Sequence, residues 1–329
     1  MPRILLTQAI GDAAMQRLAG LGEVVIADDT SAGRLKELVA TAHAIVVRTQ
    51  LPEGIFSVAP QLLGAIRHGA GIDMIPIAEA TARGILVANV PGVNAQSVAE
   101  HVVGTMILLG RRFSRIVSDL RNPQAGWAVA RAHAHSGHEL SGLTLGIVGF
   151  GNVGKALARI CHCGLAMNVL VANRSVIPAT TGVTQQDLDR VVTQSDYVVL
   201  TCPLTEQTRG LISAARIARM KQGAYLINVA RGPVLDERAL LRALQTGHLS
   251  GAGLDVFETQ PLPRDHPFYR LDNVVLTPHV AGISDESMLR MGLGAVNAVA
   301  SILRGERPAS LVNPEAWEAF ASRFAAQQH

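Results

Sequence analysis

Residues 145–154 read LGIVGFGNVG. Leu145 to Val148 form an apolar run without alternation, as a strand buried on both faces should. The run leads directly into Gly149-x-Gly151-x-x-Gly154, and the pattern KALARICHC that follows, up to Gly164, is helical. Three glycines at this spacing are a weak signal by themselves. Between a strand and a helix they read as a dinucleotide-binding turn. Gly149 permits the tight turn, Gly151 lets backbone N–H groups approach a pyrophosphate, and Gly154 lets helix and strand pack closely. The start of the helix then offers unpaired N–H donors to the anion.

Outward from this turn, short apolar runs alternate with amphipathic stretches. Candidate strands lie at 4–7, 24–27, 44–48, 65–67 and 86–88, with a second series at 144–148, 169–172, 197–200, 225–229, 252–256 and 274–276. Helical patterns fall between them, for instance 31–41 and 236–246, where Asp236 can cap the first turn and Gly247 can end the last. Strand–helix–strand order repeated in this way means parallel sheets in an α/β fold. A chain of 329 residues suits two domains of ~150 residues each. The turn-rich VPGVNAQ at 90–96 precedes a long helical pattern from Ser97, which places a boundary there. The helical tail after Ile283 is too short for a third domain and is expected to fold back on the first unit.

Composition narrows the function. Hydrophobic residues make up 48% and charged residues 17%, which excludes a chain disordered throughout. The net charge of +3 contains no Lys/Arg block and aromatics are only 4%, so nucleic acid is not implied as a partner. The apolar run Ile4 to Leu6 is too short for a signal-peptide core. The longest one elsewhere, VVGTMILLG at 102–110, is about half the ~20 residues that a bilayer span needs. Three cysteines give no disulfide framework. The expectation is a cytoplasmic protein with no membrane partner.

The residue that reads the cofactor's ribose should follow the glycines by ~20 positions. Asn173 stands 19 residues after Gly154, in VLVANRS. An Asp there would accept from the ribose 2′-OH and repel a 2′-phosphate. Asn173 removes that repulsion, Arg174 supplies a fork of donors for phosphate, and Ser175 adds a hydroxyl. This favours NADP; the alternative is NAD, with Arg174 a solvated surface charge. Cys161-His162-Cys163 looks like a metal-ligand cluster, but positions i and i+2 face different sides of a helix. Packing cysteines are the better reading, and no metal is expected. His133, His135 and His138 alternate in a loop ahead of the cofactor strand; metal binding is one reading, and a solvated loop is the favoured one.

Three further segments carry chemistry: NVARGP at 228–233, GLDVFETQPLP at 253–263 and LTPHVAG at 276–282. Each places a polar or ionisable residue just after a buried strand, where open α/β sheets bind ligands. Together with SVAEH at 97–101, CPLT at 202–205 and GAGIDMI at 69–75, they make nearly the whole chain closely resemble the D-isomer-specific 2-hydroxyacid dehydrogenases. The resemblance implies two doubly wound parallel-sheet domains with a cleft between them. A flavodoxin-like substrate domain, 1–98 plus 283–329, would be split by an inserted Rossmann dinucleotide-binding domain, 99–282. It implies a homodimer with the long helix after Ser97 and its surroundings at the interface. It also implies hydride transfer between NAD(P)H and C2 of a small 2-keto or 2-hydroxy acid such as glyoxylate, hydroxypyruvate or 2-ketogluconate.

On that resemblance Arg231 is the catalytic arginine. A 2-keto acid presents a carboxylate beside a carbonyl, and a guanidinium can hold the first while polarising the second. His279 is the acid/base, giving a proton to the new alkoxide in reduction or taking the hydroxyl proton in oxidation. The third catalytic position departs from the family, which usually has a Glu 29 residues after the arginine and directly before a proline; here it is Gln260, before Pro261. An amide can orient the imidazole but cannot stabilise the imidazolium by charge. A similar Gln–His pairing occurs in the related formate dehydrogenases. Glu258 could replace the missing carboxylate only if the loop were shifted.

The same resemblance puts Asp255 on the nicotinamide carboxamide and Asn152 and Val153 on the pyrophosphate. Cys202, Pro203, Val229 and Ala230 would line the nicotinamide side, with Gly282 after the histidine and Val90 as a further cofactor contact. Ala70 and Gly71 would offer backbone N–H groups to the substrate carboxylate. Arg48 would meet the substrate's distal end, or else be a strand-end arginine facing solvent. Two rival functions stay open. One is a phosphoglycerate dehydrogenase-like enzyme, whose SVAEH region is similar, although the chain has no extra regulatory domain. The other is a non-catalytic nicotinamide-sensing protein, which would need an exposed peptide groove and unstructured tails.

Overall fold

The runs read as fully buried strands form two all-parallel sheets in a computed structural model that describes residues 1–178 and 182–326. The chain divides into two units, Met1–Asn94 with Ser284–His329, and Ala95–Ile283.

In the first unit the strands are β1 (Arg3–Leu6), β2 (Glu23–Ile26), β3 (Ala44–Val47), β4 (Gly64–Arg67) and β5 (Leu86–Ala88). Their order, β2-β1-β3-β4-β5, is the flavodoxin-like one. Helices α1 (Asp12–Ala19), α2 (Ala32–Val39) and α3 (Ile77–Ala82) join them. The register sets Leu5 beside Ile45, and Ile45 beside Ala65. Successive side chains then alternate between two cores. Ile4, Leu6, Val46 and Ile66 pack with Ala14 and Leu18 of α1, while Leu5, Ile45, Val47 and Ala65 pack with Leu35 and Val39 of α2. Both faces are covered, so these strands need no polar residue at alternate positions. Each buried Val, Leu or Ile contributes ~1.5–3 kcal/mol.

The second unit begins with α4 (Ala95–Gly110), α5 (Phe113–Arg121) and α6 (Gly126–Ala132). Its strands are β6 (Thr144–Val148), β7 (Asn168–Ala172), β8 (Thr184–Gln185), β9 (Tyr197–Leu200), β10 (Tyr225–Asn228), β11 (Gly251–Leu254) and β12 (Val274–Leu276). Between them run α7 (Asn152–Arg159), α8 (Leu188–Gln194), α9 (Ala214–Ala218) and α10 (Glu237–Gln245). The order β12-β11-β10-β9-β6-β7-β8 reverses direction between β6 and β9, the switch point at which doubly wound sheets bind dinucleotides. Asp236 caps α10 by accepting from the Ala239 N–H, and Gly247 follows the helix with φ +73°. The tail returns to the first unit. There α11 (Asp285–Leu303), opened by a Ser284/Ser287 capping box, lays Ala295, Val299 and Ile302 into the first core, and α12 (Trp317–Ala326) adds Phe320.

Three local expectations need correction. In the histidine stretch, His133–Ser136 form a helical turn; His135 is exposed, as a solvated segment should be, but His133 and His138 are half-buried. His133 Nε2 lies 2.6 Å from Asp119, and His138 Nε2 lies 2.9 Å from the Tyr197 hydroxyl, beside a stacked Tyr197–Tyr225 pair. A partner carboxylate and a buried phenol hold these two rings half-buried, and sequence separation hid both. The cysteine pair also divides: residues 160–164 form a π-type turn in which Cys161 is buried and Cys163 is exposed, so only Cys161 packs. Burial pushes the Cys161 thiol up to about 12. Lastly β8, two residues long, gave no apolar run to read.

Candidate active site

The glycine turn ends β6. Gly149 has φ +98°, and a Cβ there would lie 2.8 Å from the Cα and N of Cys202, so neither its conformation nor its space admits a side chain. Around Gly151 nothing lies within 4 Å of where a Cβ would be. The backbone is therefore bare where a pyrophosphate has to approach. α7 opens at Asn152 with no side-chain cap on its first turn, which leaves the N–H groups of that turn, Asn152 and Val153 included, for an anion. These features fit a dinucleotide. Cys202, at the end of β9, is buried, and burial pushes its thiol up to about 11. It meets the turn as a neutral, small apolar group. Pro203 beside it is exposed.

At the end of β7 the Asn173 side chain is tied to the glycine turn. Its Oδ1 accepts from Phe150 N at 3.1 Å and its Nδ2 donates to the Ser175 carbonyl at 3.0 Å. Gln185 of β8 staples the same loop, donating to the Asn173 and Ser175 carbonyls and accepting from Ile177 N. Arg174 and Ser175 remain exposed on this braced loop. Gln185 was invisible to motif reading because β8 gave no strand signal.

The catalytic candidates lie at the ends of three adjacent strands. After β10, the fully buried Asn228 closes the turn that carries Val229, Ala230 and Arg231. Its Oδ1 accepts from Ala230 N and its Nδ2 donates to the Arg231 carbonyl, each at 3.0 Å. Arg231 is half-buried, and its Nη1 donates to the Ala230 carbonyl at 2.7 Å. Asn228 stands inside the quoted NVARGP segment but was given no role, since a strand-end amide has no signature of its own.

After β11, Asp255 is 3% exposed and organises the histidine turn. Its carboxylate accepts from the Thr277 hydroxyl at 2.6 Å, Val280 N at 2.8 Å and Ala281 N at 3.0 Å. Its backbone carbonyl accepts from His279 N at 2.9 Å. Thr277 also lies 3.3 Å from His101 Nε2 of the SVAEH segment. This scaffold holds His279 at φ +58°, a conformation uncommon for any residue but glycine. Val280 and Gly282, on either side of the buried Ala281, are half-buried.

Gln260 Oε1 lies 3.1 Å from His279 Nδ1. An amide oxygen only accepts, so Nδ1 is the donor and Nε2 is the atom left for acid–base work. Glu258 does not take this place; its backbone N–H is bonded to Glu237. The Arg231 and Gln260 loops abut, since a Cβ on Gly232 would fall 1.9 Å from the Phe257 carbonyl carbon.

In the first unit the segments after β3, β4 and β5 carry the remaining candidates. Arg48 is half-buried rather than turned to solvent. Its N–H donates to Thr7 Oγ1 at 2.8 Å, and its guanidinium donates to the Ala9 carbonyl. Arg67 braces the GAGID loop through the Gly71 carbonyl at 3.0 Å, and Asn89 donates to the Ala70 carbonyl at 2.8 Å. Val90 is buried, and a Cβ on Gly294 of α11 would lie 2.4 Å from its side chain.

Comparison with known proteins points the same way. Residues 103–281 match the family model for the D-isomer specific 2-hydroxyacid dehydrogenase, NAD binding domain. A glyoxylate reductase from Korarchaeum cryptofilum is 35% identical over 323 residues, covering 95% of this chain and 96% of that one. A D-3-phosphoglycerate dehydrogenase from Methanocaldococcus jannaschii is 33% identical over 95% of this chain, which spans 60% of that protein. The crystal structure of an NADPH-dependent glyoxylate/hydroxypyruvate reductase from Sinorhizobium meliloti, in complex with NADP and malonate, superimposes with a TM-score of 0.85. It is 29% identical, covering 96% of this chain and 97% of that one. Among the described residues no helix is long and apolar enough to cross a membrane.

Proposed function

Since the chain belongs to the D-isomer specific 2-hydroxyacid dehydrogenase family, we propose that its hydride transfer serves small polar 2-keto acids of the glyoxylate and hydroxypyruvate kind. It is an NAD(P)-dependent oxidoreductase acting at C2 of a 2-keto or 2-hydroxy acid. The observation that carries the substrate reading is the adjoining of the Arg231 loop to the loop whose Gln260 holds His279. When bound, the nicotinamide supplies the hydride to C2. Arg231 holds the substrate carboxylate and draws charge from the carbonyl. His279, with Nδ1 engaged by Gln260, delivers a proton from Nε2 to the carbonyl oxygen, and C2 becomes a carbinol. Asp255 keeps the histidine turn in place.

NADP is the preferred cofactor on this reading, supported by an exposed Arg174 and Ser175 and by an amide rather than a carboxylate at 173. Arg174→Ser is expected to raise KM for NADPH about tenfold and leave that for NADH within about twofold. An equal change for both cofactors overturns the preference. The wider test is turnover of a 2-keto acid panel with NADH and NADPH in parallel. Glyoxylate and hydroxypyruvate should be reduced. Faster turnover of 3-phosphohydroxypyruvate would favour the phosphoglycerate dehydrogenase reading. Cofactor binding with no turnover at all would favour a nicotinamide sensor.

The protein works as a homodimer in the cytoplasm on the same reading. Phe113, Val117 and Leu120 share one face of α5 and are exposed, as are Trp127 (71%) and Val129 of α6. Family members usually pair through this region. The three cysteines are unpaired, which suits a reducing compartment. Trp127→Glu should convert a dimer to a monomer in sedimentation equilibrium; a wild-type monomer would refute the pairing.

A further inference from the structure

Glu237 opens α10 and is 9% exposed. A carboxylate in a first turn gains from the helix dipole without leaving water, so its burial needs another account. Taking a charge out of water is costly unless a hydrogen bond offsets it. Burial pushes the Glu237 acid up from its usual range, a hydrogen bond from Glu258 opposes the rise, and the Glu258 charge adds to it. The bond that offsets burial comes from the backbone N–H of Glu258, 2.5 Å from Glu237 Oε1.

That N–H belongs to the loop bearing Gln260. Phe257 is buried in the core, and Gly232 presses on the Phe257 carbonyl and on the Glu258 nitrogen, 2.2 Å from where its Cβ would be. Glu258, Thr259 and Gln260 are exposed. The Glu237 hook is the last grip before Gln260, with only Thr259 between. Resting on the Gln260–His279 reading above, we propose that Glu237 is a positioning residue: its carboxylate fixes the loop so that the Gln260 amide meets His279 Nδ1. Nothing in this role requires contact with substrate. It requires only an acceptor oxygen at the right reach, which Gln supplies and Asp, one methylene shorter, does not.

The test is a set of single and double variants, with kcat taken at saturating cofactor and the KM for NADPH from a separate cofactor titration. Glu237→Ala and Glu237→Asp should each lower kcat for the 2-keto acid about tenfold, with the KM for NADPH within about twofold. Glu237→Gln should stay within about twofold of wild type. In a Gln260→Ala background Glu237→Asp should add almost nothing, and the single variants should share the pH–rate profile of Gln260→Ala. If Glu237→Ala fails to fold, Glu237→Asp carries the test, with thermal unfolding run alongside. Additive losses in the double variant, or Glu237→Gln as damaged as Glu237→Ala, overturn the proposal. Should Gln260→Ala lower kcat while Glu237→Asp does not, the proposal alone falls. Should Gln260→Ala itself leave kcat and its pH profile untouched, the Gln260–His279 reading fails and takes the proposal with it.

Discussion

Arg231→Ala should lower kcat/KM for a 2-keto acid by about 10²- to 10³-fold, the loss seen when a donor to a developing oxyanion is removed. In the role proposed for it, the guanidinium would serve two oxygens, one already charged in the substrate and one gaining charge as hydride arrives. KM should therefore rise and kcat fall together. Arg231→Lys should recover little, because an ammonium cannot reproduce the planar fork. The turn that bears the arginine is closed by two bonds from Asn228, and the arginine side chain adds only one, to the Ala230 carbonyl, so the fold should survive the change. Steady-state kinetics beside a fluorescence titration of NADPH checks this. Unchanged kinetics, or a loss confined to cofactor binding, would remove Arg231 from the chemistry.

His279→Asn should cost about 10²- to 10⁴-fold in kcat, the span usual for a positioned proton donor. Asparagine is chosen because the residue sits at φ +58°, where Asn is tolerated better than most side chains. The variant then reports lost proton transfer and not a broken turn. In the proposed pairing, the group facing Nδ1 is the one whose charge the proton on the histidine would feel. Reduction needs the protonated ring, and a carboxylate in place of Gln260 would favour that form. Gln260→Glu should therefore carry the alkaline limb of the reduction profile upward by about one pH unit. Oxidation needs the neutral ring, so its acidic limb should move up by the same amount. Profiles measured in both directions decide; limbs that stay where they were would mean that the amide and the ring are not coupled.

Legibility in the sequence followed the range of the contact. The glycine turn, the Asp236 cap and the parallel sheets were readable because each depends on residues near in the chain or on buried runs. Gln260 was found only through the family resemblance, which places a carboxylate at that distance from Arg231. Gln185 and Glu237 were not found, because each acts on a backbone group of a separate loop; Asn228 acts on its own turn but carries no residue pattern of its own. Asp255 was read only as a cofactor contact. Its carboxylate also binds the turn around His279, 22 to 26 residues ahead, and only the β11–β12 pairing brings the two together.

The split first unit sets the order in which the protein is made. All five of its strands have been synthesised once Ala88 is translated, yet the helix that lays Ala295, Val299 and Ile302 over one face begins almost two hundred residues later, at Asp285. Until then Ile4, Leu6, Val46 and Ile66 present a sticky half-covered wall on the nascent chain. The interval is a natural window for chaperone capture during synthesis.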